Sequence, residues 1–284
     1  MNAMSMEYQF QQSMRRSRPI TLLLGVLLAA YLLVPMLIVI PASFTSGSFL
    51  QVPPDGFSWR WYIEVLEDRR WFQALFTSFQ VSGTAAIIAT VIGALAAIAL
   101  SRSSKAAKVL RPFFFLPMVL PIIVFALGLR QAGQFAGFQG SLVPLIVGQA
   151  VLCLPIAFLT LSSGMVAIDP ALTRAAQSMG ASWWRTVWSI ELPLLRRSLV
   201  MGFILAFAFG FDEVVLALFL APPGRSTLPA KLYNEATQNV SPLLASVAGY
   251  VILVTVVAVV VVLVAMKASS RRAARRLAED KEKQ

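Results

Sequence analysis

Six apolar stretches alternate with polar intervals along this chain, and each is long enough to predict a membrane-crossing helix. The first covers 20–42, after a polar segment 1–19 that ends in Arg15, Arg16 and Arg18. At roughly twenty apolar residues it exceeds the core of a signal peptide, the alternative for such a stretch near an N-terminus, and reads as a retained helix. A polar, aromatic-rich loop follows over 43–71, and within it 57–66, FSWRWYIEVL, predicts an interfacial helix with Trp and Tyr at headgroup depth. That loop suits either a lipid anchor or a contact with a binding protein. Helix 2 is predicted over 76–100, where Ser78, Ser82, Gly83, Ala85, Ala86, Ala89, Gly93, Ala94 and Ala97 recur at three- and four-residue spacing. Such stripes let helices pack closely in lipid, so this helix reads as scaffold. A basic turn at 101–111 leads to helix 3 over 112–129, bent by Pro117 and Pro121, either as a cavity-lining kink or as a packed bend. Helix 4 spans 141–165 after an outer turn rich in glycine, helix 5 spans 198–220, and helix 6 spans 243–266.

Composition supports the same picture. The chain is 58% hydrophobic and only 13% charged, with mean hydropathy +0.75, which is too apolar for an ordinary soluble protein. Its net charge of +11 is not a nucleic-acid signature, because the basic residues sit in loops beside the apolar spans. Of the 24 Lys and Arg, eighteen fall in the N-terminal segment, the 101–111 turn, the 168–197 segment and the tail 267–284, and six in the alternate loops. The positive-inside rule therefore predicts that both termini and 168–197 are cytoplasmic. The basic tail suits anionic headgroups. The single cysteine, Cys153, allows no intrachain disulfide, and the absence of histidine removes His-based catalysis and His-ligated metals. No GxxxxGK[ST] phosphate loop and no GxSxG elbow occur, so an enzyme is not expected and any ATP would be held elsewhere.

The segment 168–197 is too long for a plain connector. Asp169 can cap a helix, Pro170 suits its first position and Gly180 can close it, which predicts a short helix over 171–179. A second helix restarts at Ser182 and is expected to give way at Pro193. Ala175, Ala176 and Gly180 are small residues where another backbone can approach. The spacing Arg174-Ala175-Ala176, three residues, Gly180, nine residues, Ile190, one residue, Leu192-Pro193 resembles the Glu-Ala-Ala, Gly, Ile, Leu-Pro loop of ABC importer permeases. The resemblance implies an all-α membrane protein of six transmembrane helices, with a cytoplasmic coupling helix-turn-helix between helices 4 and 5 that docks into an ATPase. Arg174 departs from the family's Glu, which removes any family-typical ionic contact there and leaves the shape argument standing.

Further on, 209–233 carries Asp212 and Glu213 late in helix 5, then a glycine-containing outer turn and Thr227-Leu228-Pro229. This resembles the second permease subunit of spermidine/putrescine importers. Permeases for other small solutes, opines and amino-acid derivatives among them, share much of the pattern. Two adjacent acids within an apolar helix need a reason, since each costs about 2.5–3.5 kcal/mol near a helix centre. The expectation is that one or both face the route of a cationic solute; the alternative places both near the outer interface. The domain reading is a cytoplasmic segment 1–19, a permease domain 20–266 and a cytoplasmic tail 267–284, in a bacterial inner membrane. The implied partners are a second permease, an ATPase dimer holding ATP and Mg, a periplasmic solute-binding protein and membrane lipid, with no nucleic acid. A secondary transporter or channel working alone is the competing function.

Overall fold

The computed structural model describes residues 3–102, 104–238 and 241–257, with Val260 and Val264, and every extended element in them is helical. Two compact units are distinguished. One takes the described residues of Met1–Glu67 and Gln238–Gln284, and the other is Asp68–Thr237.

In the first unit, α1 runs over Ala3–Ala42, so the predicted first span continues a longer helix whose apolar stretch is exposed from Leu22 to Val34 and becomes buried at Ala42. Its end is held by hydroxyls and rings. Ser43 Oγ and Tyr62 Oη lie 2.7 Å apart, and Ser246 Oγ donates to the Ser43 carbonyl at 3.1 Å. The interfacial helix forms as α2, Arg60–Glu67. Phe44, Phe57, Trp59 and Tyr62 pack with centroids 4.8–5.7 Å apart, and Tyr62 meets Tyr250 edge-on at 5.1 Å. Tyr250 lies on α12, Pro242–Val257, and the rest of the predicted helix 6 lies outside the described residues, as does the tail.

The second unit is built on α3 (Arg69–Ser101), α6 (Val143–Val166) and α9 (Leu192–Phe211), which pack on one another. The predicted small stripe of α3 faces inward except at Gly83, which is only half-buried: Ser78, Ser82, Ala85, Ala86, Ala89, Gly93, Ala94 and Ala97 are all buried. The contact is backbone on backbone, for a Cβ on Gly93 would stand 3.1 Å from the Phe158 nitrogen and 3.3 Å from the Ala157 carbonyl carbon. Lipid supplies no hydrophobic drive between helices, so this close approach is where dispersion holds the unit together.

Three predicted elements need correction. Helix 3 is broken rather than merely bent. After α4 (Ser104–Leu110), a 3₁₀ stretch Arg111–Met118 ends before Pro121, and α5 (Ile122–Phe135) restarts at 92° to it. Pro117 and Pro121 together remove two donors and bias Leu116 and Leu120 away from α geometry, which is too much for one continuous ladder. The helix after Ser182 does not give way at Pro193. It passes from α8 (Trp183–Thr186) through a π-helical turn, Val187–Glu191, into α9, forming one apolar run Trp183–Phe211. The widened turn, with the Leu192 N–H on the Val187 carbonyl, makes room for the ring of Pro193 just inside α9. Helix 5 is two helices, because α9 stops at Phe211 and α10 (Val215–Leu220) begins after a break at 212–214. Among the described residues, four helices are long and apolar enough to cross a membrane, or five if the bent pair counts as one span.

Gly93→Leu is expected to destabilise the detergent-solubilised chain by about 1–3 kcal/mol, the usual cost of overpacking. Gly83, on the same helix, has nothing within 4 Å of its Cβ position, so Gly83→Ala leaves the thermal midpoint unchanged or raised. Equal midpoints for Gly93→Leu and the parent chain would refute the backbone contact.

Candidate functional site

Two places in the second unit gather the predicted functional residues: the hairpin that follows α6 and the break between α9 and α10.

At the hairpin, Asp169 caps α7 (Pro170–Ser178) by accepting the Ala171 N–H at 2.8 Å. Its other end closes with Gly180 at φ +85°, the Gly180 N–H on the Gln177 carbonyl and the Ala181 N–H on the Ala176 carbonyl, a left-handed stop that an L side chain would strain. Ser182 then accepts the Arg185 N–H and starts α8. The sequence motif divides between two faces. Ala176 is buried against its own chain, whereas Arg174, Ala175 and Gly180 are exposed. Ile190 and Leu192 are half-buried at the π turn and the start of α9, and Pro193 is exposed. Ala176 and Gly180 therefore do not form one approachable patch, as their four-residue spacing had suggested. The outward face is instead Leu172, Ala175 and Met179, at i, i+3 and i+7, with Met179 83% exposed. Its signal was present in the sequence as an apolar period on a polar segment.

Sequence reasoning missed the residue that fastens this hairpin. Glu191, in the π turn, is buried, and Arg102 at the end of α3 donates through Nη2 to Oε1 at 2.6 Å and Oε2 at 2.8 Å. Thr173 of α7 donates to Oε1 at 3.4 Å, and the Arg102 guanidinium stands 5.3 Å from the Trp183 ring. One carboxylate thus joins α3, α7 and the base of α9. The partners are 89 residues apart, and no local pattern announces them.

At the break, Asp212 ends α9 and is exposed, while Glu213 is half-buried and occupied. Its carboxylate accepts the Val215 N–H at 2.9 Å and the Leu216 N–H at 2.7 Å, satisfying the first donors of α10. The two acids are therefore not neighbours on one helix surface. Beneath the break, Gly210 lets α9 approach a polar pair, Ser82 and Gln149, joined at 3.3 Å; a Cβ there would meet Cys153 Sγ at 3.1 Å. Gln149 is buried, and its Nε2 has no partner among the described residues. Toward the outer loops, α10 borders a hollow of about 430 Å³ shared with Arg70, Lys231 and Asn234. Arg70 donates to Asp68 at 2.9–3.1 Å and holds its carboxyl below the usual range, and Lys231 lies 4.3 Å from the Trp71 ring. Among the described residues no cluster of His, Cys, Asp and Glu could hold a metal ion.

Residues 89–277 match the family described as binding-protein-dependent transport system inner membrane component. The chain is 31% identical over 231 residues to the spermidine/putrescine transport system permease protein PotC of Escherichia coli strain K12, covering 80% of this chain and 86% of that protein. It is 28% identical over 245 residues to the putrescine transport system permease protein PotI of the same organism, covering 83% and 85%. Among solved structures, a chain of the bacterial alginate ABC transporter, crystallised with an alginate pentasaccharide-bound periplasmic protein, superposes with TM-score 0.67 at 18% identity, covering 89% of this chain and 94% of the other. At that identity the match establishes the shared fold.

Arg102→Ala should leave Glu191 buried without its counter-charge. The loss falls below the roughly 3–5 kcal/mol of a fully enclosed pair, because the Arg102 side chain retains 25% exposure. Arg102→Met with Glu191→Met should recover part of that loss in thermal unfolding, and additive losses would refute the coupling.

Proposed function

This chain belongs to the family of binding-protein-dependent transport system inner membrane components, and on that premise we propose that it is a pore-forming permease subunit of an ATP-driven importer for a small polyamine. The observation that carries the reading is α7, a capped helix held to its own chain through Ala176 and Thr173, with an apolar stripe turned outward. An exposed stripe of Leu172 and Met179 on a polar segment calls for a partner groove, and the sequence places that segment on the cytoplasmic side, where ATP is found.

In this reading the chain supplies half of a pore, completed by a second permease. An ATPase dimer holding ATP and Mg receives α7, and a periplasmic solute-binding protein delivers the solute. The protein is multi-pass in a bacterial inner membrane with both termini cytoplasmic. The bent pair Ala107–Met118 and Ile122–Phe135, and the apolar stretch 243–266 of which Pro242–Val257 is described as helix, bring the spans in this reading to six. The coupling segment is 168–197 in the permease domain 20–266. Chemistry on the ATP is the partner's, and this chain moves the solute.

Polyamine is favoured over opines and amino-acid derivatives by the relatives' names and by Asp212, an exposed carboxylate at a helix break. Discontinuous helices are where transporters expose backbone and charge to a solute. Glu213 takes the structural part of the pair, and Asp212 meets the cation. The competing reading, a transporter that works alone, would need no ATPase.

Two outcomes test this. In the assembled, reconstituted transporter, Met179→Asp or Leu172→Glu should abolish solute-stimulated ATP hydrolysis and uptake at unchanged membrane abundance. Gly180→Trp is a poorer probe, since it strains the left-handed turn as well as adding bulk. Normal stimulated hydrolysis in both charged variants would remove the docking assignment. Separately, Asp212→Asn should lower uptake of labelled putrescine and spermidine at least tenfold at normal abundance, whereas Glu213→Gln should lower abundance first and leave uptake per molecule near normal. The reverse pattern would exchange the two roles.

A further inference from the structure

Where α3 and α6 end beside α7, a hollow of about 510 Å³ is bordered by three guanidinium groups, those of Arg102, Arg111 and Arg174, against one carboxylate, Glu191. That carboxylate is already met by Arg102 and Thr173, so the hollow retains an excess of positive charge. Neither Arg111 nor Arg174 forms an ion pair among the described residues. The unpaired arginines match a phosphate, because guanidinium forks bind its oxygens in pairs. Ser101 and Arg111 also border a second hollow, of about 600 Å³, whose other walls are Leu100, Ala107, Lys108, Pro112 and Phe115. A cationic hollow sharing a rim with a largely apolar one, at the ends of two membrane spans, is the shape of an amphiphile's headgroup and the first atoms of its chains.

We propose that this double hollow binds the phosphate of an anionic phospholipid, with Arg111 and Arg174 on the phosphate and the Phe115 side receiving the glycerol and upper acyl chain. Arg174 then has a function independent of any ATPase contact, and the lipid joins α7 to the ends of α3 and α6. The shared chemistry would also admit free phosphate, so the test separates the two. The full-length chain is extracted from nanodiscs of phosphatidylcholine with equal phosphatidylglycerol, and retained lipid is counted by native mass spectrometry. Phosphate is then titrated against the thermal midpoint in detergent. Expected is at least one phosphatidylglycerol retained per chain in the parent protein, reduced several-fold in Arg174→Gln and absent in Arg111→Gln with Arg174→Gln, while Arg130→Gln, at another loop, retains it. A phosphate-dependent midpoint in the parent but not the double variant, with no retained lipid, would replace the phospholipid by free phosphate and overturn its identity. Should the double variant not fold, the single Arg174→Gln and the parent's preference for phosphatidylglycerol over phosphatidylcholine decide it. No preference, or equal retention by the variants, overturns the site.

Discussion

Inside hydrocarbon every backbone donor and acceptor has to be met by the protein itself, and the second unit is shaped by the places where a single helix cannot do so. Two spans are interrupted at three places, and each interruption has its own remedy. The Pro117 and Pro121 region changes to a 3₁₀ stretch and turns away at 92°. At Pro193 the ladder widens for one turn and continues. At 212–214 the chain stops, and a side-chain carboxylate supplies the acceptor that the first donors of α10 lack. Regular packing of α3 against α6, set by Gly93 and its small neighbours, is what lets the irregular segments be accommodated around a fixed centre.

The same demand explains how charge is distributed. A carboxylate in an apolar setting is tolerated when its lone pairs are filled, and both acids that the fold encloses are filled: Glu213 by two backbone N–H groups, Glu191 by a guanidinium and a hydroxyl. Asp212 has exposure instead. Engagement and exposure separate the two acids where depth in the membrane cannot, because depth is nearly the same for adjacent residues.

Much of this was legible before any coordinates. Caps at Asp169 and Ser182, the left-handed Gly180 and the buried stripe of α3 follow from local rules that act within four residues, and they form as those rules require. What was not legible depends on distant partners. Pro193 looks like a terminator until the π turn before it is seen, and Ala176 looks like a docking residue until the chain is found packed against it. Glu191 and Arg102 meet across 89 residues, and Glu213 looked like half of an acidic pair because nothing in FDEVV says that the helix stops there. Periodicity reports which face is apolar, but not whether a neighbour from the same chain already covers it.

This distinction bears on how a short helix at the membrane edge could move the spans. Had α7 met its own chain only through apolar contacts, a push on its outer face could slide it without consequence. Thr173 and Ala176 instead fix its inner face, and the carboxylate that Thr173 reaches is also held by the end of α3 and belongs to the turn from which α9 rises. A displacement of α7 must therefore either give up the Thr173–Glu191 hydrogen bond and the packing of Ala176, or carry the Arg102–Glu191 pair with it. The π turn adds the compliance, since a widened turn bends more readily than a regular one. The break at 212–214 lies at the opposite end of α9 from Glu191, so one helix joins the two places that the proposed function uses.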